Sequence, residues 1–150
     1  MALRGSYPAV FRFAQWFHKH RDAATYIPPP REAEKHEQWR DYVDDGDLKV
    51  YYRGEEVGKR CEVKHYLETD FTSLADFPHK WLFLGNAAAW DRADPKPYIY
   101  CVLTRLGTHA AFVPGRAHGS WSRINVTDKR RGTTELTIAC PPDVAWWTKL

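Results

Sequence analysis

The sequence predicts a mixed α/β fold, in which early helices pack on a sheet built from a hairpin and later strands. Three observations carry this. Apolar residues recur at helical spacing near the N-terminus, the texture changes to strand-like segments after Asp44-Asp45-Gly46, and nothing marks a second domain. At 150 residues the chain fits one domain, 1–150, long enough to bury a single core. It divides into an N-terminal helical segment (about 1–30), a helix and hairpin (31–66), and the remaining strands and loops (67–150).

Taken in order, residues 8–21 place Val10, Phe13, Trp16 and Phe17 on one helical face, with basic residues between and after them. Pro28-Pro29-Pro30 then break the chain and prepare a second helix over about 30–43, because Pro is tolerated in a first turn and Glu32 and Glu34 suit its positive end. Asp44-Asp45-Gly46 ends that helix in a turn. Leu48–Tyr52 and Arg60–Tyr66 read as two strands of a hairpin around Arg53-Gly54-Glu55-Glu56. A third strand is expected at Lys80–Leu84 and a helix over 86–92. Strands at Tyr98–Thr104 and His109–Val113 follow the loop Asp94-Pro95-Lys96-Pro97. A Gly- and Arg-rich loop leads to Trp121, and a last strand covers about Glu135–Ala139.

An apolar share of 43% and an aromatic share of 15% are those of a globular chain. The longest apolar runs, around Trp81–Leu84 and Tyr98–Leu103, are too short to span a bilayer. The N-terminus does not read as a signal peptide, so a cytoplasmic protein without membrane partners is the expectation. Cys61, Cys101 and Cys140 are odd in number, far apart and without a CxxC spacing, which argues against a disulfide framework and for small buried hydrophobes.

The hairpin carries the chemistry. With Gly54 and Glu55 at the centre of a symmetrical loop, 53–56, Asp47 stands directly opposite Glu62. Opposed residues share a sheet face, and Lys64, two positions on, shares it as well. A loop of odd length would move Asp47 to the other face. Two opposed carboxylates are destabilising unless something neutralises them. A hard divalent cation does so, because Mg²⁺ is held by one or two carboxylates plus waters and substrate phosphate. Lys64 then orients or deprotonates an attacking water, or stabilises charge on the phosphate. The backbone carbonyl of Val63 is a candidate additional ligand.

Asp47, fourteen intervening residues and then Glu62-Val63-Lys64 resembles the D…(D/E)xK signature of the PD-(D/E)XK, or restriction-endonuclease-like, nuclease superfamily. The resemblance covers about residues 31–66. It implies a mixed central sheet flanked by helices and Mg²⁺-dependent (or Mn²⁺-dependent) cleavage of DNA, with Asp47, Glu62 and Lys64 catalytic. It also implies an acidic residue on the preceding helix, here Glu37, with Glu34 a turn earlier as its competitor. Gly46 stands where the motif's name has Pro, and Asp45 is the rival of Asp47 by strand parity.

The net charge of +3 is mild, but basic residues cluster. Arg123–Gly132 reads as a flexible loop whose Arg123, Lys129, Arg130 and Arg131 suit phosphate contacts, and Arg116, His118 and Trp121 extend that surface. For Trp121 a core or rim position is the stronger reading. His18 and His20 diverge on a helix and make a poor metal pair. His65 points away from Lys64, towards packing. Trp146 and Trp147 read as a packing anchor or a subunit contact. DNA is the expected partner, RNA is compatible with the same chemistry, and a monomer and a homodimer both fit. The competing class is a non-catalytic nucleic-acid- or protein-binding module, including a small phage-type inhibitor or adaptor, on a similar sheet.

Overall fold

Helix α1 (Tyr7–Arg21) forms where the apolar spacing predicts it, and it buries Val10, Phe13, Trp16 and Phe17 together with Ala9 and Ala14. Pro8 lies in its first turn, and His18, Lys19, His20 and Arg21 complement the negative end of the helix dipole. Asp22, at φ +50°, stops it, and the Ala23 N–H donates back to the Phe17 carbonyl at 3.4 Å. The computed structural model describes residues 3–4, 7–28 and 46–150. The helix expected over 30–43, with Glu34, Glu37 and Asp45, lies outside the described residues.

The strands are β1 (Leu3–Arg4), β2 (Ala24–Tyr26), β3 (Leu48–Tyr51), β4 (Lys59–Tyr66), β5 (Leu82–Asn86), β6 (Ile99–Leu103), β7 (His109–Pro114), β8 (Ser122–Asp128), β9 (Thr133–Cys140) and β10 (Trp146–Lys149); a short helix α2 spans Ala87–Arg92. The larger sheet runs β10-β7-β6-β4-β3-β2, with β1 also pairing to β4. Its β4–β6 pair is parallel and the other pairs are antiparallel, so the sheet is mixed and the fold is α/β. A smaller antiparallel sheet runs β5-β9-β8. No helix among the described residues is long and apolar enough to cross a membrane.

Each face of the larger sheet carries its own core. On one, α1 packs through Val10, Phe13 and Phe17 on Leu48, Val50, Cys61, Val63, Cys101 and Phe112. On the other, Tyr66, Tyr100, Val102, Ala111 and Val113 meet Leu82, Leu84, Ile138 and Cys140 of the smaller sheet and Trp90 of α2. The central β6 and β7 are apolar on both faces, which is why they read as unbroken hydrophobic runs. A mixed sheet with helices packed on it is the expected class, with α1 on one face. Among the described residues, the other face is covered mainly by the smaller sheet, with α2 contributing Trp90.

The stretch Arg123–Gly132 is also corrected. Most of it is strand β8 with a turn after it, not a flexible loop. Ser122-Arg123-Ile124-Asn125-Val126-Thr127 alternates polar and β-branched residues, a period-two pattern that the cations obscured. Residues before Trp121 form a 3₁₀ turn, Gly115–Ser120. Trp121 is a half-buried packing residue, with its ring 4.9 Å from Trp90 and 5.8 Å from Tyr100. The two C-terminal tryptophans anchor β10 from both sides. Trp146 packs on Trp16 and Phe112, and Trp147 on Phe71 and Phe77. All three cysteines are buried and free.

Candidate active site

The hairpin has the expected register. Leu48 pairs with Cys61, Lys49 with Arg60 and Val50 with Lys59. The paired rungs end at Leu48, and Asp47 comes just before β3, with its N–H on the Cys61 carbonyl rather than on Glu62. The loop is longer than the expected 53–56, since β3 ends at Tyr51 and β4 begins at Lys59. The Glu55 N–H bonds to the Tyr52 carbonyl at 3.0 Å to close its turn. Lys59 pairs with Glu55 at 3.1 Å, and its ammonium lies over the rings of Tyr52 and Tyr98. These contacts tie up the loop without changing the register.

Strand β4 sorts its residues by parity. Cys61 and Val63 are fully buried under α1, whereas Arg60, Glu62 and Lys64 face the other way. Asp47 turns its carboxylate onto the strand itself: Oδ2 accepts the Val63 N–H at 2.8 Å, and the Asp47 N–H donates to the Cys61 carbonyl at 3.1 Å. Val63 thus serves the site through its backbone, while its side chain belongs to the core.

Glu62 is only 14% exposed, and its Oε1 accepts from Arg60 Nε at 2.9 Å and Nη2 at 2.8 Å. Burial, then the negative charge of Asp47, raise its pKa to about 8, against the opposing pull of Arg60. The ion-pair distance argues for a charged Glu62 and the raised pKa for a protonated one. Burial beside a like charge favours the protonated form of Glu62 over the charged one.

Two glycines give the site its shape. Gly46 has φ +85°, and a Cβ there would stand 2.7 Å from Arg60 Cγ, so the position admits neither Pro nor a side chain while Arg60 crosses it. Gly85 has φ +130°, beside an irregularity in the β5–β9 pairing, and a Cβ there would stand 3.1 Å from Lys64 Cε and 3.2 Å from Nζ. Lys64 therefore extends along a slot that β5 opens by lacking a side chain. Tyr100, the β6 neighbour of Glu62, closes the inner side, and burial first and Glu62 second push its phenol pKa upward.

Among the described residues, no three His, Cys, Asp or Glu side chains form a metal-holding group, and the acidic part of this site is the Asp47–Glu62 pair. That pair fits Mg²⁺, which needs only one or two protein carboxylates when waters and phosphate complete its shell. His18 and His20 sit exposed on α1, His20 against Trp16. His65 points away from Lys64 and engages the Arg105 carbonyl at 3.2 Å rather than a core.

The basic residues expected at the site fall into separate places. Arg123 donates to both oxygens of Asp91 at 2.6 and 2.7 Å, which lowers the Asp91 pKa and raises its own. Lys129, Arg130 and Arg131 sit at the β8–β9 turn, and Arg116 in the 3₁₀ turn, all exposed. Arg60 and Gly85 are site residues that sequence reasoning missed. The parity that groups Glu62 with Lys64 would have found Arg60; nothing local pointed to Gly85. Comparison with known proteins finds no matching family model, no matching curated protein and no matching solved structure.

Proposed function

We propose that the chain is a Mg²⁺-dependent nuclease of restriction-endonuclease-like architecture that hydrolyses phosphodiester bonds in DNA. The observation that carries this reading is the hairpin register. Just before its last rung, Asp47 lies against the β4 segment that turns Glu62 and Lys64 to one face, and two acids that close are eased by a shared cation or a shared proton. Asp47 and Glu62 would hold the ion, with the Val63 carbonyl as a further ligand. Bound there, it would polarise the scissile phosphate and make an attacking water more acidic.

The remaining work falls to the chain. Glu62, protonated before a cation binds, would release its proton to solvent, and the Val63 N–H holds the Asp47 carboxylate in place. Water would add to phosphorus as the P–O bond to the sugar oxygen breaks; the water's proton goes to Lys64, or to solvent while Lys64 neutralises charge on the phosphoryl oxygens, and the leaving oxygen takes a proton from solvent. Lys64 is pre-aimed for this by the Gly85 slot.

One observation favours a second reading, a non-catalytic module. Arg60 holds Glu62 Oε1 at 2.8 Å, a contact made without a metal. The two readings part on cleavage of plasmid, single-stranded and branched DNA with Mg²⁺, comparing the unmodified protein with Glu62→Ala and Lys64→Ala. We expect cleavage that falls by about 10²–10⁴-fold in each variant. Cleavage that survives both substitutions, or that is absent with every substrate, rejects the nuclease reading.

A further inference from the structure

Strands β8 and β9 do not end where the core ends. The inner half of β9, Thr137–Cys140, is buried, whereas Thr133–Leu136 is exposed at every position, on both faces. Their partners continue outward as paired rungs, Asn125 with Leu136, Val126 with Glu135, Thr127 with Thr134 and Asp128 with Thr133. From the first of these rungs to the last the ribbon extends about 10 Å, at about 3.4 Å per residue. It is a built element. The Thr127 and Thr134 hydroxyls bond across it at 3.0 Å. The Asp128 carbonyl accepts the Gly132 N–H at 2.8 Å, and its carboxylate accepts the Arg130 N–H at 2.9 Å.

The tip carries Lys129, Arg130 and Arg131 in succession. Arg130 and Arg131 side chains are 84% and 83% exposed, and their acidic neighbours, Glu68 at 3.3 Å and Asp128 at 3.9 Å, form the kind of exposed pair that contributes little and exchanges readily. At the ribbon's base, Glu135 accepts from the Asn86 side chain. Asn86 follows Gly85, against which Lys64 lies. The smaller sheet packs on the face of the larger sheet that bears Glu62 and Lys64, so ribbon and site belong to the same side of the molecule.

We propose that residues 125–136 are a DNA-docking ribbon that lies in the major groove of a B-form duplex, with Lys129, Arg130 and Arg131 at the groove edge on its phosphates. A two-stranded ribbon fits that groove, which is about 12 Å wide. The major groove of A-form RNA is too narrow for it, and a single strand offers no groove, so the shape selects duplex DNA among polyanions. This rests on, and narrows, the nuclease reading by naming the substrate as duplex DNA.

The test is fluorescence anisotropy in EDTA, where no cleavage occurs, with a short DNA duplex, the single strand of the same sequence and the matching RNA duplex. The unmodified protein is expected to prefer the DNA duplex. Lys129→Ala/Arg130→Ala/Arg131→Ala is expected to bind it at least about tenfold more weakly, with the slope of log affinity against log salt shallower by about 2–3, one phosphate for each lost cation. An unchanged melting midpoint shows that the triple variant is folded. If the midpoint falls, Lys129→Gln replaces it, with a slope change of about one. Preference for RNA or single strands, no binding by the unmodified protein, or a variant that binds as the unmodified protein does would each overturn the proposal. Failure of the nuclease reading looks different: the ribbon variants lose duplex affinity, yet no substrate is cleaved when Mg²⁺ is supplied. Conversely, cleavage that depends on Glu62 alongside unchanged affinity in the triple variant would reject the ribbon and leave the nuclease reading standing.

Discussion

The two faces of β4 start from the same backbone and the same pleat, yet they do opposite things. Cys61 and Val63 are fully buried in an apolar core under α1, where every neighbour adds to stability. Arg60, Glu62 and Lys64, interleaved with them, put three ionisable groups at nearly the same depth. One face holds the hairpin in register; the other spends some of that stability on keeping two acids together. Local conflict of this kind, supported by a well-packed reverse side, is what a functional site requires.

The comparison breaks most severely from the apolar side. Phe13 is fully buried on α1, with Phe112 edge-on at 5.5 Å. Phe13→Ala is expected to lower stability by about 3–5 kcal/mol in denaturant unfolding, with loss of the site as a consequence of lost fold. The polar side should respond in the opposite direction. Glu62→Gln removes a buried acid from beside Asp47 while keeping a group that can donate to Asp47 and accept from Arg60. We expect the metal-free variant to be more stable by about 0.5–2 kcal/mol, and to be inactive. A destabilised Glu62→Gln would mean that the Arg60 ion pair outweighs the repulsion.

An acid elsewhere sharpens the contrast with the smallest effect. Asp76 lies in the open, and bonds from the Thr72 hydroxyl, the Thr72 N–H and the Ser73 N–H hold its pKa down to about 2. Glu62 is pushed the other way, up to about 8, by burial and a like charge. For Asp76 the folded value lies below the ordinary 3.8, so its contribution is present above about pH 4 and lost as pH falls through 2. The melting-midpoint difference between the unmodified protein and Asp76→Asn should therefore be small at pH 6 and vanish near pH 2. A difference that persists there would show that the bonds act through something other than the charge.

How far the sequence reached follows from range. Helix α1 was legible because its apolar face repeats within fifteen residues, and the hairpin register because Gly54 lies midway between two strands of matching pattern. Glu62 and Lys64 share a face by pleat alone, whereas Asp47 falls just before β3, and the loop proved longer than expected. Strand β8 escaped because its cations looked like a solvated loop, and β2 and β10 because they are short edges whose identity comes from their partners. The contact of Gly85 with Lys64 joins positions twenty-one apart on different sheets, and no local pattern encodes it. The smaller sheet was not legible for the same reason, since β5, β8 and β9 come together only in the folded chain.

The pairing of Asp47 with Glu62 is the claim on which the functional account stands, and calorimetric titration of Mn²⁺ into the metal-free protein tests it most directly. One ion should bind per chain in the unmodified protein, and Asp47→Asn should weaken that binding at least about tenfold. A protein that takes up no Mn²⁺, or an Asp47→Asn variant that binds it as tightly as the unmodified protein does, would contradict the account.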